Sequence, residues 1–233
     1  MTSTKAFARA AGFLYLLVGV LGGFSEYVRT SVTVPGDAKA TATGIVQHAT
    51  LFHIGLVTDL VDFTCFLGVG LILYAILRHV DARVAVAMLV INAVSVAIQA
   101  LNMVNQAGAL IVATDPAYAT GTTSLLFLEL HRQGYVIAQI FFGGYLVPLA
   151  YLVYRSAMFP KILGIVLMIG GGGYLAGVAA TYLSSNLESS VALYFGLIGG
   201  LAETAFLLWL LIMGSTAPKT ESSPVKGALT WRA

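Results

Sequence analysis

Apolar stretches long enough to cross a bilayer follow one another along almost the whole of this 233-residue chain, and nothing constrains its fold more. Inside hydrocarbon every backbone N–H and C=O must be satisfied within the protein, which leaves helices or a closed barrel. About six stretches reach the roughly 20 residues that a spanning helix needs. They are Ala10 to Tyr27, Leu51 to Leu77, Val84 to Val112, Tyr135 to Tyr154, Ile162 to Leu183 and Val191 to Met213. All are continuously apolar, without the alternation of a membrane strand, so helices are expected. Composition agrees: 58% of residues are hydrophobic and 9% charged, against about 45–50% and about 25% in soluble domains.

The predicted fold is all-α, a polytopic transmembrane bundle of about six helices over residues 1–214. A tail over 215–233, rich in Ser, Thr, Pro and Lys, is expected to be disordered. The first apolar stretch runs directly into Glu26, Tyr27 and Arg29 instead of a nearby small-residue cleavage site, so it reads as an uncleaved anchor. A cytoplasmic amino terminus places nine of the 12 basic residues inside and leaves Arg29, Lys39 and Arg132 outside. That split follows the positive-inside rule and puts both termini in the cytoplasm. The lone Cys65 permits no intramolecular disulfide and reads as a packed core residue. Basic residues spread by topology, without a clustered patch, argue against nucleic-acid binding.

Three carboxylates, Asp59, Asp62 and Glu203, interrupt the apolar stretches. A carboxylate at the bilayer centre costs about 2.5–3.5 kcal/mol on insertion scales, so each needs a partner, a proton or a polar cavity. These are the candidate catalytic residues. Asp59 and Asp62, three apart, share a helical face, where neighbouring carboxylates resist ionising together and one would hold a proton. The alternative is a hydrogen-bonded bridge to a neighbouring helix, with Gln99 or Asn102 as partner.

The third stretch carries Asn92, Ser95, Gln99, Asn102 and Gln106 at spacings of three and four, a single stripe along one face. Such a stripe either cross-links helices or lines a cavity. The candidate ligand-binding residues are Glu26, Gln99, Asn102, Gln106, Glu129, His131 and Gln139. Glycine-rich faces accompany Glu26 (Gly12, Tyr15, Gly19, Gly22) and Glu203 (Gly196, Gly199, Gly200), and their glycines read first as helix-packing surfaces. Gly170 to Gly173 and Pro148 are expected to loosen or kink their helices. His48, His53 and His131 lack the spacing of a helical metal-ligand pair, so no metal or other cofactor is assigned.

The run Phe127 to Tyr174, FLELHRQGYVIAQIFFGGYLVPLAYLVYRSAMFPKILGIVLMIGGGGY, resembles a bacterial multi-pass family known as domain of unknown function 4386. AGFLYLLVGVLGGFSEYVR, LYAILRHVDARVAVAML and ETAFLLWLLIMG carry the likeness through the rest of the chain before the tail. The resemblance implies a helical protein of the bacterial cytoplasmic (inner) membrane, and it implies a short cytoplasmic turn at RSAMFPKILG. It brings no catalytic residues with it.

Three functions fit this pattern. The first is a membrane protein whose carboxylate- and amide-lined cavity opens to the outer leaflet and binds or converts a small lipophilic molecule. The second is a proton- or cation-coupled transporter working as a homo-oligomer, because six spans without evident inverted repeats are few for a lone transporter. The third is a structural or regulatory subunit whose polar contacts lock helices.

Overall fold

Each apolar block becomes one helix. The computed structural model describes residues 2–118, 123–183 and 189–215, and its elements run α1 (Thr2–Val32), α2 (Ala38–Gln47), α3 (Ala49–Leu77), α4 (Ala82–Thr114), α5 (Thr123–Arg155), α6 (Lys161–Leu183) and α7 (Ser189–Ile212). All but α2 are long and apolar enough to cross a membrane. No strand occurs among the described residues. The tail from 216 onward, expected to be disordered, lies outside them.

The short α2 is the element that hydropathy does not announce. Gly36 turns the chain at φ 77°, and the Asp37 side chain accepts from the Ala40 N–H at 2.8 Å, an N-cap that satisfies one of the free donors of the first turn. Thr41 and Ile45, four apart and so on one face, are fully buried. Through them α2 rests on α4 and α5.

The spanning helices close a ring. Helix α1 packs on α3, α3 on α4, α4 on α5, α5 on α6, α6 on α7, and α7 back on α1. Close approach is steric in origin: a Cβ on Gly143 of α5 would lie 2.8 Å from the Gly171 carbonyl oxygen of α6, and one on Gly171 would lie 2.9 Å from that of Gly143. Gly170 to Gly173 therefore does not interrupt α6, which is continuous; three of its four glycines face neighbouring helices. Helix α5 likewise runs through Pro148. Between α5 and α6, Ser156 Oγ accepts from the Met158 N–H at 2.9 Å, fixing the short turn that ends at Pro160.

Arg9 donates to the Ile212 carbonyl oxygen at 3.0 Å, so the first and last helices meet at one face of the bundle. The half next to that face is filled by apolar side chains, among them Phe66, Leu73, Met88, Tyr145, Leu149 and Phe206. A smaller cluster, Val28, Val32, Ile45, Phe52, Leu110 and Leu128, closes the opposite end of α1 to α5. Between these two plugs lie Glu26 of α1, Asp59 and Asp62 of α3, Gln99, Asn102 and Gln106 of α4, and His131 of α5. Among the described residues, α6 and α7 contribute nothing to the second plug.

Candidate functional site

The polar layer is organised by Arg29. One turn beyond Glu26 on α1, it forms an ion pair with Asp59 of α3, meets Glu26 at 3.0 Å and donates to Gln106 Oε1 of α4 at 3.0 Å. Its side chain is 12% exposed and that of Asp59 4%, so water does little of the work of solvating either charge. Three helices thus share one guanidinium, whose fork of donors suits several acceptors at once. As a loop cation counted toward topology, Arg29 concealed this part from the sequence. Its spacing from Gly22 and Glu26, four and then three, was the available signal.

Asp62 has no such partner. It is 8% exposed, and its Oδ1 is buried without a hydrogen bond among the described residues. Its other oxygen lies beside Gly22 of α1, 3.4 Å from where a Cβ would stand. Glu203 of α7 is held by two phenols, Tyr15 O–H donating to Oε1 at 2.5 Å and Tyr174 O–H to Oε2 at 2.7 Å. The three acids therefore differ in kind: one is paired with a cation, one is clamped by neutral donors, and one has an unpartnered oxygen. Among the described residues neither aspartate bridges to Gln99 or Asn102: Arg29 pairs with Asp59, and Asp62 Oδ1 and Gln99 Oε1 have no hydrogen bond.

The amide stripe of α4 is buried as one face but divides by task. Asn92 donates to the Phe66 carbonyl oxygen at 3.4 Å and lies in the notch left by Gly70 of α3. Asn102 donates to the His131 carbonyl oxygen at 2.8 Å and fills the matching notch at Gly134 of α5. Both are cross-links between helices. Ser95 bonds back to the Asn92 carbonyl at 2.7 Å, a helix's own backbone contact. Gln106 serves Arg29. Gln99 alone of the stripe lines the pocket, and its Oε1 is buried and unpartnered among the described residues.

That pocket has a volume of about 500 Å³ and takes side chains from all six spanning helices. Ligand cavities commonly fall between about 300 and 1,000 Å³. Asp59, Asp62, Glu203, Glu26, Gln99 and His131 of the expected residues line it. Asn102, Gln106, Glu129 and Gln139 do not: Glu129 is on the surface in an ion pair with Arg132, and Gln139 faces Gly196 of α7. His48 and His53 are exposed, whereas His131 is buried. No group of three or more His, Cys, Asp or Glu residues positioned for a metal occurs among the described residues.

Aromatic residues complete the lining: Tyr15 shares the glycine face of α1, whereas Phe66, Phe142, Tyr135 and Tyr174 carry no signal of their own in apolar helices. Tyr15 and Phe66 have ring centroids 6.0 Å apart, Phe66 and Phe142 5.8 Å, Phe142 and Tyr135 6.0 Å, and Phe142 and Tyr174 6.2 Å. Together they form one continuous wall.

A protein-family model matches residues 10–214, which takes in the bundle from Ala10 of α1 onward and every residue of the pocket. The chain belongs to the family described as domain of unknown function DUF4386. An uncharacterized protein of Archaeoglobus fulgidus is 32% identical over 88 residues, which is 38% of this DUF4386 chain and 51% of that protein. The match spans about half the length of that relative. No solved structure matches.

Proposed function

We propose that this DUF4386 protein binds or converts a small lipophilic molecule in the pocket between its two apolar plugs, and that the pocket opens toward the outer leaflet of a bacterial cytoplasmic membrane. The observation that carries the reading is Asp62, a buried carboxylate that lines a cavity large enough for a ligand and has one oxygen without a hydrogen bond among the described residues. Leaving such a group unsatisfied costs about 1–3 kcal/mol or more, a cost that a bound molecule would remove. In this reading Asp62 accepts or gives a proton, while Glu203, fixed by Tyr15 and Tyr174, orients the ligand.

Transport is supported less well. The apolar half from Phe66 to Leu77 on α3, packed against Tyr145 and Leu149 of α5, closes the path beyond the pocket. A helix-locking role fits Asn92 and Asn102 but offers no account of Asp62 or Gln99.

Extraction tests the reading directly. Organic extracts of purified wild type should contain a small lipophile, detected by mass spectrometry, that folded Asp62→Asn protein has lost. Identical extracts from the two would leave the acids with a structural role only. The orientation rests on the nine-to-three distribution of basic residues and has its own test. Single cysteines introduced at His48 and at Asp81, in a Cys65→Ala background, should react with an impermeant maleimide from outside at 48 and not at 81. The reverse pattern would invert the topology.

A further inference from the structure

Resting on that reading of the pocket, we infer that its ligand is a lipophilic ammonium, an amphiphile with a protonated or quaternary amine head. Charge is the first argument. Four carboxylates line the pocket: Glu26, Asp59, Asp62 and Glu203. Of the cations there, Arg29 is engaged by Glu26 and Asp59, and Arg132 by Glu129. His131 turns its Nδ1 to the Asn102 carbonyl oxygen at 3.4 Å. Asp62 and Glu203 have no cation paired with them among the described residues. An anionic head would meet two acids that have no countercharge, and a neutral one could donate a hydrogen bond to Asp62 but would bring no countercharge to either acid.

The wall is the second argument. Aromatic faces carry the negative side of their quadrupole outward, and clustered rings are a recurrent means of holding an ammonium. Tyr15, Phe66, Phe142, Tyr135 and Tyr174 form a contiguous set on the same cavity as the two acids. A hard metal ion such as Ca²⁺ or Mg²⁺ calls for six or so oxygen ligands, which such a wall does not supply. Access is the third. Gly19 and Gly23 of α1 and Gly200 of α7 line the pocket with nothing within 4 Å of where their Cβ atoms would stand. The two helices touch through Arg9 and Ile212, Gly12 and Leu211, and Tyr15 and Glu203, and the open space beside the three glycines is the route this assignment gives an alkyl chain toward the bilayer.

Three ten-carbon probes with one chain and different heads test this: decyltrimethylammonium, decanoate and decanol. Each is measured by equilibrium dialysis against the purified full-length protein in maltoside micelles, with binding to empty micelles subtracted. Saturable binding of decyltrimethylammonium is expected, weakened about tenfold or more by Asp62→Asn and by Tyr135→Leu. Exposed His53→Ala should leave it unchanged. Should Asp62→Asn fail to fold, Tyr135→Leu, at a partly exposed ring, decides the point. Decanoate or decanol binding as tightly as the ammonium overturns the head-group assignment and spares the lipophile reading. If none of the three saturates on wild type, both fall. Ammonium binding indifferent to both pocket variants places it elsewhere and overturns the site.

Discussion

Arg29→Ala should destabilise the protein by about 3–5 kcal/mol, the range observed when one member of a buried ion pair is removed. The substitution strips the cation from Asp59, whose side chain is 4% exposed, and the donor from Gln106 Oε1. Gln106 already has a buried Nε2 without a partner among the described residues, so it has no spare bond to fall back on. Removing both charges together is a different experiment. In Arg29→Met with Asp59→Asn the buried pair is removed whole and the Glu26 charge it leaves is 64% exposed, and such replacements are often close to neutral. The double variant is therefore expected to recover most of the loss, while Glu26→Gln, at a side chain 64% exposed, costs under about 1 kcal/mol. Thermal unfolding of the purified proteins reads all three. A double variant as unstable as Arg29→Ala would mean that the guanidinium matters for packing its stem and not for pairing Asp59.

The contrast between Arg29 and the six spans marks how far sequence carries in this molecule. A spanning helix is a local property: Leu51 to Leu77 is apolar enough to cross a membrane whatever surrounds it, and α3 ends at Leu77 as expected. The burial of Asn92, Ser95, Gln99, Asn102 and Gln106 as one face was equally legible, because helical periodicity is local too. What each residue does with its burial is not local. Asn92 and Asn102 lock helices because Gly70 and Gly134, more than 20 residues away in the chain, leave notches for them. Gln99 meets no such notch and faces the pocket.

Charge behaves in the same way. Hydropathy counts Arg29 as a basic residue at the end of a helix, and only the packing of α1 on α3 turns it toward Asp59. That contact separates Asp59 from Asp62, which at a spacing of three looked equivalent. The glycine faces divide along similar lines, since a glycine that packs and a glycine that lines a gap have the same letter. Helix α2 was missed for a simpler reason. Ten residues of modest hydropathy fall well short of a span, and its stability comes from burying Thr41 and Ile45 on neighbours.

Gly12→Phe and Gly19→Phe should therefore give opposite phenotypes, although the two glycines lie seven residues apart on one face of α1. At Gly12 a Cβ would stand 2.6 Å from the Leu211 backbone nitrogen of α7, and backbone cannot rotate aside as a side chain does. Overpacking by single methylene groups already costs about 1–3 kcal/mol, so a whole ring here should prevent folded protein from accumulating at all. At Gly19 no atom of the described residues lies within 4 Å of the Cβ position, and the residue lines the pocket. A ring there removes a flexible glycine from a helix interior, worth a few tenths of a kcal/mol in favour of the fold. It also fills the open space beside α1 and α7. Gly19→Phe should melt no lower than wild type while binding decyltrimethylammonium about tenfold more weakly. Wild-type affinity in a folded Gly19→Phe protein would show that the α1 and α7 side of the pocket does not hold the ligand. Loss of the folded state, matching Gly12→Phe, would show that the helices stay in contact along their whole length and leave no gap to fill.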